Sequence, residues 1–341
     1  MRILVTGATG LAGSHAAAAL QRAGHELVLF VRDPRRLPRA LEPLGVRGAA
    51  HAQGDVADRA SVARALADCD AVVHAAAIFT LDLRRAAEVE RTNVEGARHV
   101  LELAAERGLD PVIHLSSLSA LLPAQGAALR DDAPLQAPRD MYARSKAAGE
   151  AIARGLQQRG APIAIFHPGS LWGPCDPTLG DGVRTVLGFI RRGLWPRTPG
   201  GLPFLDVRDL AAGIGAALAP GRGPRRYLAG GHLLSIGDLA ELCRRITGRR
   251  MWSAPVPGAW MRAAGRAGDL LRHLGIPTGI TYESMCTLTR AVPCENARFE
   301  KELGVALRPP EETLRDALRW LHETGELSAA HAGRLAAEAA R

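Results

Sequence analysis

Aromatic residues, lysine and paired cysteines are scarce in this chain of 341 residues. Phe, Trp and Tyr make up only 4% of it, so Ala and Leu must supply most of a core. The five cysteines form no C-x-x-C pair, which argues against a disulfide framework or a structural zinc site. The sequence also lacks an H-E-x-x-H helix, and no metal site is expected.

Long apolar runs and runs of positive charge are also missing. No apolar run reaches 18 residues, so no transmembrane helix is expected. The chain opens directly on a strand pattern without a charged leader, which predicts a cytoplasmic location. The net charge is +8, but the arginines are scattered among acids without a run of five basic residues. A nucleic-acid partner is therefore not expected, whereas a basic pocket for a phosphorylated cofactor fits.

Short apolar runs alternate with helical patterns through the first half of the chain. Helices are predicted over 11–23, 59–68, 84–107 and 141–159. Strands are predicted at Ile3–Thr6, Leu27–Val31, Ala49–Gln53, Ala71–His74, Val112–Leu115 and Ile163–Phe166. Continuous apolar strands separated by helices predict an α/β fold, a doubly wound parallel sheet of the Rossmann type.

The pattern loosens after about residue 170, where glycine and proline become dense. We expect a dinucleotide-binding domain from 1–169 and 204–249. A smaller, discontinuous C-terminal substrate lobe is expected from 170–203 and 250–310, and a helical tail from 311–341.

A glycine-rich loop joins the first strand to the first helix. It reads Thr6-Gly7-Ala8-Thr9-Gly10-Leu11-Ala12-Gly13. Backbone amides at a helix N-terminus can approach a pyrophosphate closely only where no side chains intervene. The loop predicts a dinucleotide site.

The end of the second strand indicates which dinucleotide the site would bind. An NAD binder usually has an acid at this position, to hold the ribose hydroxyls. Here Val31 takes the position and Arg32 follows it, while Asp33 is expected to cap the next turn. Because arginine pairs well with a 2′-phosphate, NADP(H) is favoured over NAD(H).

Tyr142 and Lys146 form a Y-x-x-x-K pair in a chain with only three tyrosines and two lysines. Four residues apart on a helix, the phenol and the ammonium share one face. The nearby cation is expected to lower the tyrosine pKa and make the phenol usable as an acid or base near neutral pH.

In their order and spacing, these and several further motifs resemble the extended short-chain dehydrogenase/reductase family over most of the chain. The further motifs are Gly54-Asp55-Val56, His74-Ala75-Ala76-Ala77, Asn93-Val94-Glu95-Gly96, Leu115-Ser116-Ser117, His167-Pro168-Gly169-Ser170-Leu171-Trp172-Gly173-Pro174, Val207-Arg208-Asp209 and Glu302-Leu303-Gly304. His167 stands where the family usually has arginine.

The resemblance implies a role for each residue of the catalytic set. Tyr142 is the acid/base, Lys146 lowers its pKa and holds ribose hydroxyls, and Ser117 hydrogen-bonds the substrate oxygen. Ser116 and Ser119 are rivals of Ser117, and Asn93 is expected to be structural. The expected cofactor-binding residues are Gly7, Thr9, Gly10, Leu11, Ala12, Gly13, Arg32, Asp55, Val56, Ala75, Ala76, Ala77, Ser116, Tyr142, Lys146, His167, Pro168, Gly169 and Ser170.

Within the family, the chain is most similar to the dihydroflavonol 4-reductase and 3β-hydroxysteroid dehydrogenase branch. Sugar-nucleotide enzymes of the family carry Asp-Glu or V-Y-G after the catalytic hydroxyl, and this chain has Leu118 to Leu122 there. The resemblance implies an NADP(H)-dependent oxidoreductase acting on a ketone or secondary alcohol of a hydrophobic small molecule. A nucleotide-sugar epimerase and a non-catalytic NADP sensor are the alternatives.

The lobe is expected to form the substrate pocket from its apolar residues, or to use them simply as its core. These are Trp172, Phe189, Trp195, Phe204, Met251, Trp252, Trp260 and Met261. Homodimerisation through 84–107 and 141–159 is a further possibility that the resemblance raises. Residues 259–275 combine basic and apolar residues in a helical pattern. The favoured interpretation is a helix packed over the active site, and a membrane-surface helix is the alternative.

Overall fold

The computed structural model describes residues 1–80, 82–122, 128–138, 140–198, 200–274, 276, 278, 281–290 and 292–339. The strands are β1 (Arg2–Thr6), β2 (Glu26–Val31), β3 (Ala50–Gln53), β4 (Ala71–His74), β5 (Val112–Leu115), β6 (Ile163–Pro168), β7 (Ser170–Trp172), β8 (Leu194–Arg197), β9 (Gly201–Asp206), β10 (Arg225–Ala229), β11 (His232–Ser235) and β12 (Trp252–Pro255). The helices are α1 (Leu11–Arg22), α2 (Leu37–Leu41), α3 (Arg59–Ala65), α4 (Ala86–Glu90), α5 (Gly96–Glu106), α6 (Met141–Gln158), α7 (Asp181–Arg192), α8 (Val207–Ala216), α9 (Ile236–Thr247), α10 (Gly258–His273), α11 (Tyr282–Thr289), α12 (Ala297–Leu303), α13 (Pro310–Glu323), α14 (Ala329–Ala332) and α15 (Arg334–Ala339).

A seven-stranded sheet in the order β10-β6-β5-β4-β1-β2-β3 forms the centre of the molecule. Every neighbouring pair of its strands runs parallel. The chain order reverses between β1 and β4, which opens a crevice at the carboxyl ends of these strands. The doubly wound parallel sheet is confirmed, with β10 as a seventh strand that the sequence pattern did not single out.

Helices cover both faces of this sheet because each face is apolar. Ile214 of α8 and Phe299 of α12 join α1 and α2 in a core on one face. Val62 of α3, Val100 of α5 and Ala153 of α6 belong to the core on the other face. The loops at the strand ends are thereby held on a rigid base.

A second core, separate from the cores on the two faces of the central sheet, lies in the C-terminal half of the chain. It brings together residues of α7, α9 and α13 around the buried Trp195, and Trp172 stacks on Phe204. Two small sheets, β11-β9-β7 and β12-β8, accompany it. The predicted domain limits stay a prediction, and α9, which they assign to the dinucleotide-binding domain, shares this second core. Residues 340 and 341 of the predicted tail lie outside the described residues.

Candidate active site

The glycine loop lies at the reversal of strand order, pressed against the end of β4. Gly7 has a positive φ of 77°, and a Cβ there would lie 2.6 Å from Ala75 C and Ala76 N. A Cβ on Gly13 would lie 2.2 Å from the carbonyl oxygen of Gly7. Gly10 caps α1 without a side chain, which leaves the first amides of the helix open toward the crevice. The loop fits a pyrophosphate for steric and electrostatic reasons.

A cleft extends from this loop across the ends of β2 and β4. Its lining is Gly7, Thr9, Gly10, Phe30, Val31, Arg32, Arg36, Gly54, Val56, Ala75, Ala76, Ala77, Ile78, Thr92 and Thr178. The sequence analysis named Gly7, Thr9, Gly10, Arg32, Val56 and Ala75 to Ala77 among these. The small residues leave room for an extended dinucleotide. The arginines lie at the end of the cleft that is next to β2. The residues present therefore fit the adenosine and pyrophosphate part of a nicotinamide dinucleotide.

Other predicted cofactor residues lie near this cleft without lining it. Leu11 and Ala12 form the first turn of α1. The Asp55 carboxylate accepts from Ala57 N at 3.0 Å and pairs with Arg91 at 3.3 Å. The contribution of these three residues to cofactor binding stays a prediction.

The segment from His167 to Ser170 comprises the last two residues of β6, Gly169 and the first residue of β7. Gly169 is tightly enclosed, since a Cβ would lie 2.6 Å from Gly230 O. Pro168 is buried, and Ser170 accepts a hydrogen bond from Trp172 Nε1 at 3.0 Å. These contacts give the segment a clear role in joining the sheet to β7. Its contact with a cofactor stays a prediction.

The second strand ends in a cluster of arginines around one acid. Asp33 caps the next turn as expected, accepting from Arg35 N at 3.2 Å and from Arg35 Nε at 2.8 Å. Its carboxylate is therefore engaged by Arg35. Arg32 and Arg36 both line the cleft, and Arg32 lies 3.8 Å from Glu88. The sequence analysis missed Arg36, although it follows Arg32 by four residues and a short turn would bring the two together.

Tyr142, Lys146 and Ser117 come together where β5 ends and α6 begins. Asp140 starts α6 by accepting from Ala143 N at 2.9 Å, which places Tyr142 in the first turn. Lys146 lies one turn later, buried, and its Nζ donates to Leu115 O at 2.6 Å. Ser117 accepts from Ser119 N at 3.2 Å and from Ser119 Oγ at 2.9 Å.

The protonation states of this group differ from the sequence expectation. Burial raises the pKa of Tyr142 to about 12, and a hydrogen bond with Ser117 opposes the rise. Burial lowers the pKa of Lys146 to about 8, against the opposing effect of Glu150. The net pKa of Tyr142 is therefore raised and not lowered in the protein alone, because desolvation of the phenol outweighs the effects that favour the phenolate. Tyr142 is a neutral phenol at neutral pH, and so a proton donor.

A buried ionic network that the sequence analysis missed lies behind these residues. Glu150 accepts from Ser116 Oγ at 2.5 Å, from Arg154 Nη2 at 2.6 Å and from His167 Nε2 at 2.8 Å. Burial disfavours the carboxylate, but His167, Arg154 and Ser116 outweigh it and lower the pKa of Glu150 to about 2. The network fixes the Ser116 hydroxyl, which leaves Ser117 and Ser119 as the serines near Tyr142. Glu150 follows Lys146 by four residues, so the spacing that revealed Lys146 could have revealed it too.

His167 belongs to this network and not to the cleft. The side chain is fully buried on β6, and its Nδ1 has no hydrogen-bond partner among the described residues. The imidazole of His167 thus contacts the buried carboxylate of Glu150.

Two more histidines are buried at the ends of neighbouring strands. His74 Nδ1 lies 2.9 Å from Thr6 Oγ1, and His114 stacks on His74 with ring centroids 5.6 Å apart. Burial, aided by Lys146, lowers the pKa of His74 to about 3 and that of His114 well below its usual value. Both rings are neutral at physiological pH.

Asn93 lies in a π-helix, Arg91–Glu95, that interrupts the predicted helix 84–107. Its side chain accepts from Ile78 N at 2.7 Å and donates to Ile78 O at 3.0 Å and to Ser145 Oγ at 2.9 Å. These contacts tie the β4 loop to α6, in agreement with the structural role expected for Asn93.

Phe79 lies on the outer side of the group formed by Tyr142, Lys146 and Ser117. Its ring meets the Tyr142 ring edge-on, with centroids 4.8 Å apart, and it is 52% exposed. Most of the lobe aromatics serve the second core instead, and Trp252 and Trp260 lie exposed on the surface. Phe79 is thus an aromatic residue in contact with Tyr142, and no sequence motif indicated it.

Known proteins share this architecture and sequence pattern. Residues 3–230 match the NAD dependent epimerase/dehydratase family. Sterol demethylase protein B of Methylococcus capsulatus is 29% identical over 95% of this chain and 99% of its own length. A 4-hydroxy-2-methyl-3-oxo-4-farnesyl-3,4-dihydroquinoline-1-oxide ketoreductase of Stigmatella aurantiaca is 27% identical over 97% of this chain and 99% of its own length. The crystal structure of gox2253 superposes with a TM-score of 0.80 at 28% identity, covering 96% of this chain and 99% of that one.

Proposed function

Since the chain belongs to the NAD dependent epimerase/dehydratase family, we propose that it is an NADP(H)-dependent oxidoreductase of hydrophobic ketones or secondary alcohols. The observation that carries this proposal is the neutral phenol of Tyr142, hydrogen-bonded with Ser117 beside the buried Lys146. A proton donor in hydrogen-bond contact with a hydroxyl, and a cation one helical turn further along α6, are the groups that carbonyl reduction requires.

Each member of this group has a distinct task in the reduction. Tyr142 donates its phenolic proton to the carbonyl oxygen of the substrate. Ser117 donates a hydrogen bond to the same oxygen and stabilises the charge that develops on it. Lys146, held by Leu115 O and near the Glu150 carboxylate, stabilises the phenolate that Tyr142 leaves behind. A bound nicotinamide supplies the hydride to the carbonyl carbon.

The preference for NADP(H) rests on the charges at the end of β2. Arg32 and Arg36 line the cleft there, and Asp33 is turned toward Arg35. The acid that could hold ribose hydroxyls is thus engaged by Arg35, and the two arginines that line the cleft beside it would favour a 2′-phosphate. Glu88, at 3.8 Å from Arg32, is an exposed and weak competitor.

The hydrophobic substrate class rests on Phe79 and on the relatives. Phe79 offers a half-exposed aromatic face beside Tyr142. The relatives are named for a sterol and for a farnesylated dihydroquinoline, both large and apolar. A cytoplasmic location, which the unpaired cysteines suggest, and homodimerisation through 84–107 and 141–159, which the family resemblance raises, remain proposals.

A cofactor-consumption screen tests the proposal. NADPH oxidation is followed with steroid, flavonoid, β-keto acid and nucleotide-sugar substrates, and the best substrate is repeated with NADH. We expect turnover of an apolar ketone with a clear preference for NADPH. NADPH oxidation with a nucleotide sugar alone would overturn the hydrophobic substrate class. Epimerisation of a nucleotide sugar without net change in the cofactor would establish the epimerase alternative, and tight NADPH binding without any turnover would establish the sensor.

A further inference from the structure

Helix α10 has its apolar side facing the solvent. Apolar residues recur at a helical spacing among its exposed positions, where Arg266 is also exposed. They are Trp260, Ala263, Ala264, Ala267, Leu270 and Leu271, followed by Leu274 at the C-cap. Trp260 is 73% exposed, Leu270 62% and Leu274 69%. A helix of a globular protein normally turns such a stripe toward the core. An exposed contiguous apolar patch marks an interaction surface.

The inner side of α10 is already committed to α11. A Cβ on Gly265 would lie 2.6 Å from Tyr282 Cα, and Asp269 accepts from Tyr282 N at 3.1 Å. Arg262 donates to Thr289 Oγ1 at 3.2 Å from the same side. The helix therefore cannot turn its apolar stripe inward without breaking these contacts. The favoured sequence interpretation, a helix packed over the active site, does not account for the outward stripe.

A second exposed apolar pair lies on β12, the strand that precedes α10, and on its partner strand β8. Trp252 of β12 pairs in register with Leu194 of β8, and they are 76% and 54% exposed. Arginines surround these elements in sequence. Residues 249–276 contain five arginines and the single acid Asp269, and residues 191–197 contain three arginines and no acid.

We propose that the lobe docks on an anionic membrane surface through the outer face of α10, defined by Trp260, Leu270, Leu271 and Leu274. Exposed tryptophan and leucine on an amphipathic helix insert at the boundary between head groups and acyl chains, and the net positive charge of the neighbouring segments attracts anionic lipid. No helix of the described ranges could span a bilayer, so the contact would lie on one surface. The apolar substrate of the proposed function would partition to that surface, and this last step alone rests on that function.

Size and charge favour a membrane over a second copy of the chain. A helix of 16 residues presents a face of about 24 by 10 Å. That is well below the roughly 800 Å² that each partner contributes to a stable interface. A two-fold contact would also set the arginine-rich segments of two copies against each other, which costs free energy. An anionic bilayer offers an apolar layer for the stripe and negative head groups for the arginine-rich segments.

Vesicle co-sedimentation of the full chain tests the docking. Vesicles of phosphatidylcholine alone are compared with vesicles holding about 30% phosphatidylglycerol, without cofactor or substrate. We expect pelleting with the anionic vesicles only, weakened at about 0.5 M salt because the charges are screened. Leu270→Glu should lower the partition at least tenfold, since it places a charge in the apolar stripe. Leu83→Glu is the matched control at another exposed leucine and should pellet as the parent does.

Quenching of tryptophan fluorescence by brominated lipid gives an independent measure of insertion. Trp260→Phe should lose much of the quenching, and Trp320→Phe, on α13, should keep it. Absence of pelleting, or equal pelleting of Leu270→Glu, would overturn the proposal. So would a lipid-free dimer that Leu270→Glu dissociates, since the face would then belong to a second copy. None of these results depends on turnover, so they are separate from failure of the proposed function.

Discussion

Replacing Glu150 by glutamine should destabilise the fold by about 3 kcal/mol at neutral pH. Glu150 is fully buried and accepts from Ser116, Arg154 and His167. Its pKa is about 2 in the folded protein, against an ordinary value of 4.5. Each pKa unit corresponds to about 1.4 kcal/mol, so the lowered pKa of Glu150 adds about 3 kcal/mol to the free energy of unfolding. Removing one partner of a buried ion pair costs a similar amount, about 3–5 kcal/mol.

The pH dependence of this loss has a definite sign. A carboxylate with a lowered folded pKa stabilises the fold above its unfolded pKa, and the contribution fades as the pH falls from 4.5 toward 2. Urea denaturation at neutral pH and at about pH 3, inside the window in which the contribution fades, measures the difference between parent and variant. Glu106→Gln, which removes the exposed pair with Arg59, should change stability by no more than about 0.5 kcal/mol. A loss below about 1 kcal/mol for Glu150→Gln would refute the reasoning.

The same substitution should alter catalysis through Lys146. Glu150 raises the pKa of Lys146, which burial brings down to about 8. Without the carboxylate, the lysine should lose its proton at lower pH. The alkaline limb of the kcat–pH profile should move to lower pH in Glu150→Gln and stay in place in Glu106→Gln.

The remaining predictions separate residues that the sequence groups together. Ser117→Ala should lower kcat by about 100-fold through loss of a donor to the developing oxyanion, whereas Ser116→Ala should mainly lower the urea midpoint; equal kinetic effects would contradict the assignment. Arg36→Ala should raise the KM for NADPH roughly tenfold and leave that for NADH unchanged, and Arg39→Ala should alter neither; a loss for both cofactors would argue against a 2′-phosphate contact. Phe79→Ala should raise the KM for an apolar ketone more than it lowers kcat, and an unchanged KM would remove Phe79 from the substrate site.

The central sheet and the catalytic motif could be predicted from the sequence for simple physical reasons. Parallel strands buried on both faces read as short apolar runs, so β4 and β5 were predicted with their observed limits. The glycine loop and the Tyr142–Lys146 spacing are local patterns, and a local pattern can be recognised without knowledge of the fold.

Features that depend on distant parts of the chain could not be predicted in this way. The burial that raises the tyrosine pKa depends on packing around the phenol, so the sign of that shift was predicted wrongly. The contact between Phe79 and Tyr142 joins residues far apart in sequence. The outward apolar stripe of α10 has the period of an ordinary core helix, and only the fold shows which side is covered.

Tyr142→Phe tests the central claim most directly. Steady-state reduction of an apolar ketone by NADPH is measured together with NADPH binding by fluorescence titration, with Tyr282→Phe on α11 as the matched control. The neutral phenol as proton donor predicts that Tyr142→Phe lowers kcat by about 10³-fold while the Kd for NADPH stays near that of the parent. A kcat within tenfold of the parent would contradict the assignment of Tyr142 as the acid.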